Sequence, residues 1–268
     1  MDILKYLEAN KAHWNEIVSI HKATELYALE EFKKGKNKLH SLELSELGNI
    51  SGKKVLHLQC HFGMDTLSLE MLGAEVTGVD FSEEGIRSAE ELRDELGMKA
   101  RFIHSDLYSL PDKLDETFDI VFTSYGVLIW LPDIRGWGQI VSRYLTDDGF
   151  FYMAECHPLS MIFENLNASE PLRVKYPYFE QAEPVRFEEE GTYADRKAKT
   201  LNNVTYEWPH SLSDIFMSLI DAGLKIEFFH EHPFTVWEQF PGMKNGDDGY
   251  YRLDENIPLL FSIKALKS

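Results

Sequence analysis

Hydrophobic positions along the chain follow two rhythms. In residues 2–34 they recur at spacings of three and four, through Leu4, Leu7, Trp14, Ile17, Val18, Leu26 and Tyr27, which predicts a helical N-terminal segment. Gly35 and Asn37 interrupt it. A short helix over 40–47 is expected to stop at Gly48-Asn49 with a left-handed exit. From Lys53 the rhythm changes to short apolar runs separated by helix-spaced stretches. Residues 55–58, 75–80, 100–104, 118–122 and 150–155 read as strands. Residues 64–72, a segment capped by Ser82 and running to Gly97, and residues 134–145 read as the helices between them; Asp147-Asp148-Gly149 reads as a turn. This alternation implies βαβ units and a parallel sheet covered by helices on both faces, a doubly wound α/β fold.

After Cys156 the alternation stops. The interval 157–209 is rich in aromatic residues, and Val204, Tyr206 and Trp208 alternate at period two, suggesting one arm of a small antiparallel hairpin. Ser211 and Asp214 form a capping box for a helix ending at Ala222-Gly223; residues 224–229 and 259–265 read as two final strands. The expected organisation is a helical cap at 1–50, a core at 51–156, an insertion at 157–209, and the last part of the core sheet at 210–268. An irregular interval of that length serves either as a lid or binding wall or as a cover for the sheet edge.

Composition narrows the function classes. A net charge of −18 over 268 residues disfavours a polyanionic partner, so no nucleic acid is expected. No apolar run reaches the ~18 residues of a membrane span, and the N-terminus lacks a basic start and an apolar signal core. Only two cysteines, Cys60 and Cys156, occur. A cytoplasmic protein free of membrane, monomeric or homodimeric, is the expectation.

In such a sheet, ligands bind at the carboxyl ends of the strands. Those ends carry HLQCHFG (57–63), Asp80, His104-Ser105-Asp106, Thr123-Ser124-Tyr125-Gly126 and Glu155-Cys156-His157. A nicotinamide-binding loop would need Gly-x-Gly-x-x-Gly to seat a pyrophosphate, and here Gly63 stands alone until Gly73. No Gly-x-Ser-x-Gly elbow supports a hydrolase. No His-Glu-x-x-His or Cys-x-x-Cys spacing supports a metal, and His230 with His232 on one side of a strand is too little for one.

The stretch VLHLQCHFGMDTLSLEMLGAEVTGVD, the Ser105-Asp106 pair, FDIVFTSYGVLIWLPD, DDGFFYMAE, AGLKIEF and LLFSIKA together resemble the class I S-adenosylmethionine-dependent methyltransferases. The resemblance covers about residues 50–156 and 211–267. It implies a Rossmann-like, mostly parallel seven-stranded sheet, with N-terminal helices and an insertion between strands five and six. It implies methyl transfer from S-adenosylmethionine to a small-molecule acceptor, leaving S-adenosylhomocysteine. The cofactor contacts it implies are Gln59, His61, Gly63, Asp80, Phe81, Ser105, Asp106, Leu107 and Ser124, with Asp80 at the ribose and Asp106 at the adenine. The sequence departs from the family pattern where His57 replaces the acid of the first strand and where Gln59 and His61 replace the first two loop glycines. Side chains are tolerated there if their backbone angles stay ordinary and they point away from the ligand. They either touch the cofactor's amino-acid end or only brace the turn. A non-catalytic adenosyl-ligand-binding protein is the alternative, and a nicotinamide oxidoreductase a more distant one.

The acceptor pocket is expected from the later strand ends, the insertion and the N-terminal helix. Its candidates are Trp14, Tyr27, Tyr125, Trp130, His157 and His210, with His157 or Tyr125 catalytic; imidazole suits a base near neutral pH. Trp130 falls where similar small-molecule enzymes carry an aromatic residue or histidine.

Overall fold

The computed structural model describes residues 3–164 and 171–267. Residues 165–170 of the insertion lie outside the described residues.

The N-terminal segment is two helices rather than one: α1 (Ile3–Lys22) and α2 (Leu29–Lys33). The chain turns between them because Thr24 donates its hydroxyl to the His21 carbonyl at 2.9 Å and Ala28 takes a left-handed φ of 47°. That break leaves Tyr27 outside a helix, where its ring stacks on His21. Helix α3 (Ser41–Leu47) ends at Gly48, whose positive φ comes with an extended ψ rather than a left-handed helical one.

The alternating segment forms β1 (Lys54–Leu58), α4 (Met64–Met71), β2 (Glu75–Asp80), α5 (Glu83–Leu96), β3 (Arg101–His104), β4 (Phe118–Ser124), α6 (Ile134–Tyr144) and β5 (Leu145–Cys156). Helix α5 begins where the Ser82 hydroxyl accepts from Gly85 N at 2.9 Å and ends at left-handed Gly97. The expected turn at 147–149 lies instead within one long strand. Phe118 pairs with Leu145 and Ile120 with Phe150, so residues between them bulge out. The chain continues through β6 (Val185–Glu188), β7 (Val204–Glu207), α7 (Leu212–Asp221), β8 (Leu224–His232), β9 (Lys244–Asn245), β10 (Tyr251–Arg252) and β11 (Leu260–Lys267). Ser211 and Asp214 form the expected capping box.

The main sheet has seven strands in the order β3-β2-β1-β4-β5-β11-β8; the pairs among β1 to β5 are parallel, and β11 is antiparallel to both neighbours. Each central strand feeds two cores. Leu56, Val121, Phe151 and Phe261 face α6 and α7, and Val55, Ile120, Phe122 and Tyr152 face α4 and α5. Burial on both faces explains why these strands read as continuous apolar runs. Strand order reverses between β1 and β4, which places a crevice at their carboxyl ends. Among the described residues no helix is long and apolar enough to cross a membrane.

Candidate active site

A cavity of about 570 Å3 opens at that crevice. Its floor is the turn from β1 into α4. Gln59 and His61 take φ values of 58° and 51°, and Gly63 takes 80°. The condition of ordinary backbone angles at 59 and 61 is therefore not met. The turn keeps the left-handed path that glycine follows easily, at a cost of roughly 1–2 kcal/mol for each side-chain-bearing residue.

Specific bonds hold this path. His61 N donates to Asp80 Oδ2 at 2.8 Å, and Ser82 N donates to Asp80 Oδ1 at 2.8 Å. Cys60 N reaches the Val79 carbonyl at 2.9 Å. Gln59 Nε2 donates to the Val127 carbonyl at 3.0 Å, and His61 Nε2 meets His21 Nδ1 at 2.9 Å. Both side chains thus brace the turn against neighbouring elements. Asp80 ties the turn to β2, yet each of its oxygens keeps acceptor capacity for a ligand. Burial pushes its carboxyl up to about 7, against the backbone donors that pull it down.

His57 brings no negative charge to the position of the missing acid. It is buried, bonds Thr66 Oγ1 through Nδ1 at 2.9 Å, and burial lowers its pKa to about 3. An acid returns at Asp65, in the first turn of α4 and on the cavity wall. Ser124 Oγ donates to Asp65 Oδ2 at 3.1 Å; burial raises the Asp65 pKa, opposed first by Lys38 and then by that hydroxyl.

The turn after β4 is strained in the same way. Tyr125 has φ 30° and Gly126 φ 73°. Buried Glu155 explains this geometry, because its carboxylate accepts from the N–H groups of Gly126, Val127, Leu128 and Cys156. Tyr125 lines the cavity, and burial followed by the neighbouring Glu43 carboxyl raises its phenol pKa well above 10.0. Trp130 Nε1 donates to the Gly126 carbonyl at 2.8 Å, and its ring meets Trp14 edge-on at 5.4 Å. Trp14 also packs edge-on against His61 at 5.2 Å. The Tyr27 hydroxyl bonds that of Tyr193 from the insertion. Trp14, Tyr27, Tyr125 and Trp130 therefore line the cavity as the sequence suggests, with Gln59, His61, Gly63, Asp80, Phe81 and Ser124.

Five other candidates do not line it. Asp106 caps the following turn, its Oδ1 accepting from Tyr108 N and Ser109 N at 3.0 Å. Leu107 packs in the core beneath α6, and Ser105 is buried beside β2, its N bonded to the Asp80 carbonyl. His157 is buried with both ring nitrogens engaged: Nδ1 accepts from Leu159 N at 3.0 Å, and Nε2 donates to Glu231 at 2.9 Å. Such a ring has no free nitrogen with which to act as a base on a cavity ligand. His210 bonds the Leu131 carbonyl at 2.8 Å and lines a separate, much smaller cavity.

The opposite wall was not legible in the motifs. β6 pairs antiparallel with β7, Phe187 opposite Thr205 and Val185 opposite Glu207. One face of this hairpin turns Phe187, Glu189, Asn203, Thr205 and Glu207 to the cavity. The alternating aromatic side chains point the other way: Tyr206 packs on Tyr6 of α1 at 4.5 Å, and Trp208 is buried. A second segment, between β8 and β11, adds Val236, Trp237, Gln239 and Phe240. Its run of aromatic residues was the available signal. Among the described residues, no group of three or more His, Cys, Asp or Glu side chains could hold a metal ion.

Residues 55–149, the span that builds the floor of this cavity, match the family described as a methyltransferase domain. That stretch of the chain is a methyltransferase domain. The methyltransferase is 26% identical over 255 residues to the uncharacterized methyltransferase YbaJ of Bacillus subtilis (strain 168), covering 91% of this chain and 90% of that protein. It is 28% identical over 127 residues to a ubiquinone biosynthesis O-methyltransferase of Pseudomonas syringae pv. tomato. That match covers 47% of this chain and 54% of the relative, about half of each. The methyltransferase also superimposes on the crystal structure of an S-adenosylmethionine-dependent methyltransferase from Mesorhizobium loti. The TM-score is 0.58 at 17% identity, over 87% of this chain and 99% of that one.

Proposed function

We propose that this methyltransferase acts on a small organic acceptor, held in the same cavity as S-adenosylmethionine. The observation that carries the reading is the continuity of one cavity from the β1–α4 turn to the aromatic insertion wall. Its volume falls in the range of roughly 300–1,000 Å3 usual for small-molecule sites.

The residues fit an adenosyl sulfonium better than a dinucleotide. A single loop glycine offers no bed for a pyrophosphate. Buried polar atoms on the cavity wall, among them Trp14 Nε1, Gln59 Oε1 and His61 Nδ1, have no protein partner and suit a ligand rich in donors and acceptors. Asp80 would hold the ribose hydroxyls, Asp65 the ammonium group that the missing acid at position 57 no longer serves, and Phe81 the apolar base. The Asp106 side chain stays a turn cap.

When bound, the cofactor supplies an electrophilic methyl group on a positively charged sulfur, which leaves as a neutral thioether. The chain's own contribution is orientation and exclusion of water. Trp14, Tyr27 and Tyr193 close over the turn, and Trp130 fixes the β4 loop beside them. Tyr125 stays protonated at neutral pH, so it orients by hydrogen bonding rather than by taking a proton. A base is required only by an acceptor that must lose a proton before attack.

Calorimetry with S-adenosylmethionine, S-adenosylhomocysteine and NADH tests the reading. Binding of both adenosyl ligands without NADH is expected; NADH alone would sink it. Asp65→Asn should weaken S-adenosylmethionine by roughly 1.5–3 kcal/mol, the range for a charged hydrogen bond. An unchanged affinity would remove Asp65 from the site.

A further inference from the structure

The inward face of the hairpin carries an unusual side chain. The Glu207 carboxylate lies on the cavity wall without a hydrogen bond or ion pair to any described residue, whereas Glu190 nearby is bound by Lys199 at 2.8 Å. Cys156, the last residue of β5, lines the same cavity. Glu189, two positions from Phe187 on the same face, adds a second carboxylate. Phe187, opposite Thr205, lies between them on that face of the hairpin, with Tyr176 at 5.1 Å.

Two cations also border the cavity, and neither is paired with Glu207. Arg196 donates to the carbonyls of Gln239 at 3.1 Å and Glu238 at 3.4 Å. Lys38 donates to the Leu26 carbonyl at 2.9 Å and lies on the Asp65 side. A half-buried carboxylate without a partner pays part of the cost of desolvation, and a bound cation offsets it. Aromatic faces attract the same kind of ligand through their quadrupoles. Burial, and then Glu189, push the Glu207 carboxyl up to about 8, which a cation bound beside it would reverse.

We propose that Glu207, on the cavity face of the β6–β7 hairpin, selects an acceptor that carries an amino group. This rests on the methyltransferase reading and adds the acceptor's chemical class to it. Asp65, on the turn side, serves the cofactor's own ammonium group, so the two carboxylates divide between the two ligands.

The test is calorimetry on the full chain saturated with S-adenosylhomocysteine. The probes are a panel of arylalkylamines and alkylamines led by 2-phenylethylamine, each with its matched alcohol and carboxylate. Amines are expected to bind at least about tenfold more tightly than their partners, since a charged contact is worth about 1.5–3 kcal/mol. Glu207→Gln should erase the preference and Glu207→Asp keep part of it, with S-adenosylhomocysteine affinity and melting temperature held in both. Equal binding of alcohols or carboxylates, no binding of any amine, or a preference that survives in Glu207→Gln overturns the proposal. Should a variant not fold, the panel on the unaltered chain decides. If S-adenosylhomocysteine itself does not bind, the cofactor reading falls, and the panel run on the free protein still decides the amine preference.

Discussion

The two walls of the cavity are built by opposite means. The sheet wall is mostly backbone: left-handed Gln59, His61 and Tyr125 are held by acids buried beneath them, Asp80 for the first turn and Glu155 for the second. The facing wall is mostly side chain, drawn from the N-terminal segment, the β6–β7 hairpin and the stretch between β8 and β11. The difference teaches where tolerance lies. A backbone wall fixed by buried charge cannot change one residue without moving its neighbours. A side-chain wall on a small two-stranded sheet can change its chemistry and leave the main sheet as it is.

The largest break in this contrast should come from Gly63→Ala. A Cβ there would lie 2.7 Å from Ala89 Cβ and 2.7 Å from the Phe102 ring, at a backbone φ of 80°. Overpacking and left-handed strain together should cost about 3 kcal/mol in denaturant unfolding; a loss below about 1 kcal/mol would show the sheet wall to be pliant. Next is Glu43→Gln, behind Tyr125. Burial lifts the Glu43 pKa from 4.5 to about 8, so the folded state disfavours its charged form. That penalty is complete above pH 8 and fades as pH falls toward 4.5. The glutamine variant should therefore be more stable by at least about 2 kcal/mol at pH 9, with the gain vanishing near pH 4.5. Melting curves across that range would contradict this by showing a constant difference. Gln59→Ala keeps the strain but loses the bond to Val127, and should cost about 1 kcal/mol, read by urea titration. On the facing wall, Glu189→Gln should move stability by less than about 0.5 kcal/mol; a larger loss would mean that this wall, too, is structural.

The same contrast decides what could be read from the sequence. The α/β alternation was legible because strands buried on both faces and helices with one apolar face leave different periods, and Ser82, Gly97, Ser211 and Asp214 mark the helix ends chemically. The sheet wall was legible for the same reason: Gly63, Asp80 and Ser124 follow strand ends in order. The break between α1 and α2 was hidden, since apolar spacing continues through Leu26 and Tyr27 while the hydroxyl of Thr24 ends the helix. His157 holds a strand-end position after β5, yet its nitrogens are spent on Leu159 two residues on and on Glu231 far off in sequence, and no motif announces either bond. Glu207 was not legible because the alternation of Val204, Tyr206 and Trp208 marks only the face that packs on α1.

That hairpin has one further property. Asn10 docks it by bonding the backbone N–H and C=O of residue 206, at 2.8 Å and 2.7 Å, and backbone groups look alike whatever side chain they carry. Deleting or inserting one residue in the loop between the arms would slide β7 by one position and turn every side chain over. Asn10 would still find a partner, while Tyr206 would face the cavity and Glu207 would press against Tyr6. A change of loop length could thus exchange an acidic wall for an aromatic one in a single genetic step, with the seven-stranded sheet untouched.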